Sequence, residues 1–134
     1  MKGLVIYAGK NPAHPYVTHV FYEDPLYLLL SEAVGGHIEI VHPVGLPRPY
    51  VMIVNEEGLI HGLDLNYLAS VLYGILDHGR PIVGNAVIMK EVIVDGEPVI
   101  VGLEPEEIHT VSCILELCRR LRDLFTVTFE EDLQ

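Results

Sequence analysis

Apolar positions fall in short blocks along this chain, and their spacing switches between the period of a strand and that of a helix. Gly3 to Ala8 is a compact apolar run that predicts a strand, broken by turn chemistry at Gly9-Lys10-Asn11-Pro12. Tyr16 to Tyr22 alternates and is rich in aromatic and β-branched residues, which predicts a second strand. Asp24-Pro25 then predicts a helix start, with the acid as cap and proline in the first turn. Leu26, Leu29, Leu30 and Ala33 follow at helical spacing, and Gly35-Gly36 supplies the stop, so helix one is expected over 25–34.

His37 to His42 alternates again, with Ile38 and Ile40 on one face. Pro43, Pro47 and Pro49 predict a stiff connection to a strand at Tyr50–Val54. Leu59 to Gly62 is expected to return beside that strand as a short hairpin arm. Helix two is expected to start at Asn66, with Asp64 as a rival cap, to bury Leu68, Val71, Leu72 and Ile75, and to end at Gly79. Tyr67, Tyr73 and Leu76 lie partly outside that stripe. Pro81 to Val94 is strand-like, and Asp95-Gly96 is the clearest hairpin turn in the chain. In that hairpin Val94 faces Glu97, and Pro98 has no N–H for a further partner, so 97–101 should be an edge strand.

Glu104-Pro105-Glu106-Glu107 opens the last helix, expected over 104–125, with acids against its dipole. Ile108, Val111, Leu115, Cys118 and Leu121 form its stripe, and Arg119, Arg120 and Arg122 are expected in the final turns. Phe125 to Phe129 predicts a short strand. The order ββα-ββ-α-ββ-α predicts an α+β fold: one compact domain over 1–129, a mostly antiparallel sheet with three helices, and a frayed tail at 130–134.

The mass of 14.9 kDa predicts roughly 7,000 Å² of folded surface against roughly 21,600 Å² unfolded, enough burial for one core. Half of the residues are apolar and the mean hydropathy is +0.36, an excess that implies either a generous core or surface buried in an oligomer, and a homo-oligomer is the expectation. A net charge of −11 repels phosphate backbones, so no direct DNA binding is expected. No apolar run approaches about 20 residues and the N-terminal run is too short for a signal peptide, so neither a membrane span nor a leader is expected. Cys113 and Cys118 point about 140° apart on a helix and cannot pair, which predicts two buried, reduced thiols in a cytoplasmic protein.

Seven histidines invite a metal hypothesis, but no HxH, HExxH, HxxxH or CxxC spacing occurs. His37 and Glu39 share one strand face and are the best pair for that chemistry. Glu56 and Glu57 follow Asn55 at a turn, where adjacent carboxylates diverge into solvent. Ser31, Ser70 and Ser112 lie in helical patterns, outside any GxSxG elbow. The best ligand-contact loop is His78 to Ala86, which offers glycine amides, one guanidinium and one side-chain amide without P-loop or dinucleotide spacing.

The stretches VGGHIEIVHP (34–43), VNEEGLIHGLDLN (54–66), ASVLYG (69–74) and HGRPIVGNAVIMKE (78–91) resemble a family of small proteins of unassigned function. Its members come mainly from bacteriophage, plasmid and other mobile-element genomes. The resemblance covers about residues 25–103 and implies a small α+β domain working in the cytoplasm of a bacterial host. It brings no catalytic residues, and the Asp95-Gly96 hairpin and the arginine-tipped helix read as departures from the simpler pattern.

The resulting expectation is a non-catalytic mobile-element protein without cofactor or metal. It would bind a host protein through its acidic surface, or a small nucleotide-like ligand through Arg80 and glycine amides, and so counter a host defence system. The candidate contact residues are Asn55, Glu56, Asn66, Arg80, Gly84 and Asn85. The alternatives are a small metal-dependent hydrolase built on His37 and Glu39, and a structural component assembled through the last helix.

Overall fold

The computed structural model describes residues 1–9 and 12–133, with side chains through Leu121. The strands are β1 (Lys2–Ile6), β2 (Tyr16–Val20), β3 (Ile38–Val41), β4 (Tyr50–Asn55), β5 (Ala86–Val94) and β6 (Glu97–Val101). The helices are α1 (Leu26–Val34), α2 (Tyr67–Tyr73), α3 (Ile75–His78) and α4 (Pro105–Leu133). One six-stranded sheet runs β2-β1-β5-β4-β3 with every pairing antiparallel, so the fold is α+β.

Strand β5 is long enough to serve two partners on one flank. Lys90 registers with Tyr50 of β4 and also with Val101 of β6, so β6 lies on the flank opposite β4, end to end with β1. The junction is tight: a Cβ on Gly102 would come within 2.5 Å of the Met1 Cβ and 2.8 Å of the Lys2 nitrogen. Leu103 N–H then donates to the Lys2 carbonyl at 2.8 Å. The Asp95-Gly96 turn sets Val94 opposite Glu97 as expected, and β6 is an edge strand.

The sheet is covered on both faces. Leu4, Ile6, Met52, Val54, Ala86 and Ile88 pack with Leu68 and Leu72 of α2 and with Val111 and Leu115 of α4. Val5, Ile53, Val87 and Met89 face the other way, onto Phe21 and onto Leu30 and Val34 of α1. A strand buried on both faces loses its polar alternation. That is why the central strands read as unbroken runs: Leu4-Val5-Ile6, Val51-Met52-Ile53-Val54 and Ala86-Val87-Ile88-Met89.

Several expectations are corrected by main-chain bonding. Leu59–Gly62 is not a strand. Asn55 Oδ1 accepts the Glu57 N–H at 2.8 Å, and the amides of Gly58, His61, Gly62 and Leu63 all bond within residues 55–59, so 56–62 is a chain of turns. Asp24 does not cap α1: Pro25 holds the cap position without a side-chain bond, and Leu29 N–H donates to the Pro25 carbonyl. The second helix is divided by Gly74 at φ +91°, where a Cβ would also strike Val44, so α2 and α3 replace one helix and the helix count is four. Strand β5 starts at Ala86, since Gly84 N–H is bonded to the Asp64 carbonyl at 2.7 Å.

Tyr73 is buried and stacks on His78 at 3.9 Å between ring centroids, whereas Leu76 is exposed. Cys118 is buried, which pushes its thiol pKa up, but Cys113 is exposed, with its Sγ 3.8 Å from His109 Nε2. The last helix runs on to Leu133, so no strand forms over 125–129 and the arginines lie mid-helix. Its start carries a capping contact: Glu107 Oε1 accepts the Glu104 N–H at 2.8 Å.

Polar contacts hold α4 to the sheet. Lys90 Nζ lies 2.8 Å from Glu107 Oε1. Tyr16 of β2 donates its hydroxyl proton to Glu116 at 2.6 Å, and Arg119 Nε donates to the same carboxylate at 2.9 Å. Burial and then the Glu116 carboxylate push the Tyr16 pKa up to about 12. The Lys90 ammonium, and after it the Glu104 N–H, hold Glu107 below the ordinary glutamate value. A depressed carboxylate stabilises the fold above its unfolded pKa, and that contribution disappears as pH falls through the folded value. Acid titration of unfolding is expected to show stability declining from about pH 4.3 downward, with a shallower decline in Glu107→Gln.

Candidate functional site

The amide of Asn66 is wholly buried and bound to three separate parts of the chain. Its Nδ2 donates to the carbonyls of Ile6 and Gly84, each at 2.9 Å, and its Oδ1 accepts the Ala69 N–H at 3.0 Å. It is therefore the cap of α2 and an anchor of the fold, and it offers nothing to a ligand. Its own N–H donates to the Ile82 carbonyl at 2.9 Å. Ser70 Oγ donates to that carbonyl at 3.2 Å and accepts the Ile82 N–H at 2.9 Å. These bonds lock residues 82–84 onto α2 and set where Arg80 emerges.

Arg80 emerges beside β3. Its guanidinium donates to Glu39 Oε1 at 3.2 Å across 41 residues of chain. The Tyr73 hydroxyl, and then Glu39, favour the charged guanidinium and hold its pKa above the usual arginine value. The pair forms one wall of an open cleft of about 210 Å³, and the end of β4 and the turn 56–60 form the other. Asn55, Glu56 and Glu57 line it, and Leu59 and Ile60 form an apolar rim, at 61% and 81% exposure.

The candidate residues are thus divided. Asn55, Glu56 and Arg80 share the cleft. Asn55 is buried and serves the fold first, since its Nδ2 donates to the Val34 carbonyl at 3.2 Å. Gly84 and Asn85 lie elsewhere, on a shallow groove of about 260 Å³ that also touches Glu32 and Asp64. Asn85 also borders a neighbouring cavity of about 370 Å³ with Tyr7, His19 and Phe21. Its Oδ1 accepts the Ala8 N–H at 2.9 Å and its Nδ2 donates to the Ala33 carbonyl at 3.3 Å, so it ties the segment just after β1 to α1.

The glycine amides expected to face a phosphate point inward: Gly79 N–H donates to Ile75 and Gly84 N–H to Asp64. His37 and Glu39 also have separate partners. His37 Nδ1 lies 3.3 Å from the Tyr27 hydroxyl, while Glu39 is held by Arg80. Among the described residues, no three His, Cys, Asp or Glu side chains gather in a metal-binding group. The Glu39–Arg80 pairing and the apolar rim were missed from sequence, because alternation shows which face Glu39 takes but not which distant residue meets it.

A model of the family described as Domain of unknown function (DUF3846) matches residues 1–126. The chain belongs to the DUF3846 family. The match reaches well beyond 25–103, so β1, β2, the Asp95-Gly96 hairpin and most of α4 lie inside the family domain and are not additions to it. No curated protein and no solved structure matches the chain. No helix is long and apolar enough to cross a membrane among the described residues.

Both categories of side chain can be separated by mutation. Asn66→Ala should cost about 2–4 kcal/mol in urea unfolding, because buried carbonyls lose their donors. Asn66→Asp should cost at least as much, since it keeps the cap acceptor but removes both donors. The Glu39–Arg80 pair is half exposed, so Glu39→Gln and Arg80→Ala should each change stability by less than about 1 kcal/mol.

Proposed function

We propose that this DUF3846 chain is a non-catalytic binding protein, and that the Glu39–Arg80 cleft receives a basic side chain from a partner protein. The observation that carries this reading is the cleft's charge. Among the described residues Arg80 is the single cation on its lining and is already paired to Glu39, and Glu56 and Glu57 also lie on the lining. A Lys or Arg side chain entering there meets the Glu56 carboxylate, which has no ion-pair partner among the described residues, and Glu57, whose Oε2 lies 3.1 Å from His61 Nε2, while Leu59 and Ile60 offer contact to an apolar neighbour. The net charge of −11 attracts a basic partner at longer range.

A nucleotide-like ligand is less well served, because the glycine amides are bonded inward and the guanidinium is neutralised. The mobile-element setting implied by the sequence resemblance makes the partner a host protein and the role interference with a host system. A metal-dependent hydrolase built on His37 and Glu39 finds those two groups committed to different partners.

The test uses labelled peptides that carry Arg or Lys beside Leu, read by fluorescence anisotropy against acidic counterparts. Binding of basic peptides should weaken at least about tenfold in Glu56→Lys/Glu57→Lys, and should weaken as salt rises. Equal binding to the charge-reversed cleft, or copurification of an ultraviolet-absorbing ligand lost in Arg80→Ala, would reject the reading.

A further inference from the structure

The free edges of the sheet differ in what they present. β2 and β3 end the strand order, and among the described residues β6 pairs only with β5. β6 contains Glu97 and Pro98, and β3 contains Glu39. Proline and charge on an edge oppose pairing with another strand. β2, Tyr16-Val17-Thr18-His19-Val20, has neither. Residues 11–22 hold no Asp, Glu, Lys or Arg at all, in a chain of net charge −11.

The register shows which main-chain groups of β2 are free. Met1 and Phe21 exchange two bonds: Phe21 N–H donates to the Met1 carbonyl at 2.7 Å, and the Met1 ammonium donates to the Phe21 carbonyl at 3.0 Å. At the other end Tyr7 N–H donates to Pro15 at 3.0 Å. Bonded and non-bonded pairs alternate in an antiparallel ladder. Gly3–His19 and Val5–Val17 are therefore the bonded pairs between those ends. The N–H and C=O groups of Tyr16, Thr18 and Val20 point away from β1.

We propose that β2 is a self-association edge, through which two copies of this chain pair antiparallel about a twofold axis at Thr18 and join their sheets. The outward set is symmetric about that residue. Thr18 meets Thr18 of the second copy and Tyr16 meets Val20, giving about six main-chain bonds. Thr–Thr and aromatic–β-branched pairs are favourable across strands, and no like charges are set opposite each other. Val20 and Tyr22, at 62% and 71% exposure, are the apolar surface available for cover beside the edge. A second copy fits better than a basic partner, because this segment is the neutral part of a strongly acidic molecule. Two bodies of like charge meet there with the least repulsion.

Sedimentation of the full chain over a concentration series tests this. The wild type should reach a dimer of about twice 14.9 kDa. Thr18→Pro should weaken association about tenfold or more. Its amide makes no bond to β1, so the circular dichroism spectrum should be kept. Thr18→Glu, which sets two carboxylates face to face, should act similarly, while Val99→Glu on β6 should leave association unchanged. Hydrogen exchange of the wild type should show the amides of Tyr16, Thr18 and Val20 protected in a concentration-dependent way, a readout that stands even if a variant fails to fold. A monomer at every concentration, equal effects of Thr18→Glu and Val99→Glu, or unprotected amides at 16, 18 and 20 in the dimer would each overturn the proposal.

Discussion

The side chain of Asn66 is the junction on which the arrangement of this domain depends. An amide taken fully out of water is tolerated only when its donors and acceptor find partners, and each partner left bare costs about 1–3 kcal/mol. Asn66 meets that demand by joining β1, the 82–84 segment and the first turn of α2, parts separated by as many as 60 residues. Ser70, one turn along α2, clamps Ile82 from both sides of its peptide unit. Together they convert a glycine- and proline-containing connection into a fixed wall, and the place of Arg80 follows from it.

Burial on both sheet faces is the second constraint. α1 covers one face and α2 with α4 covers the other, so the stretches Leu4–Ile6, Val51–Val54 and Ala86–Met89 of the three central strands can be apolar without a break. Polar residues are left to the edges and the strand ends. The cleft lies at one such end, where β4 stops at Asn55 and the turns begin. β2, whose outward main chain has no strand partner among the described residues, lies at one edge of the same sheet. Rigid strands hold both surfaces, so a partner or a second copy would meet preformed geometry.

The polar groups divide by role as clearly as the apolar ones. Asn55, Asn66, Ser70 and Asn85 bond to the main chain and maintain the fold. Glu39, Glu56, Glu57 and Arg80 line an open surface. Among the described residues no buried side-chain nitrogen or oxygen lacks a partner. The DUF3846 match covers residues 1–126, and that family is described only as a domain of unknown function. The chemistry argued for the cleft rests on charge and shape alone.

Local pattern was sufficient for most of the secondary structure. Glycine at helix ends, the Asp95-Gly96 turn, Pro98 on an edge and the stripe Val111-Leu115-Cys118 act through neighbours within about four residues, so they are readable in order. Errors arose where a side chain bonded nearby backbone or a glycine took a positive φ. The Asn55 turn replaced an expected hairpin arm, and Gly74 divided a helix that periodicity had joined. The candidate loops were also located from sequence, but not what each residue does there. Asn66 and Arg80 look equally polar in the chain. Only the tertiary structure buries one between two distant carbonyls and the first turn of its own helix and turns the other toward Glu39, because burial and ion pairing depend on which remote segments meet.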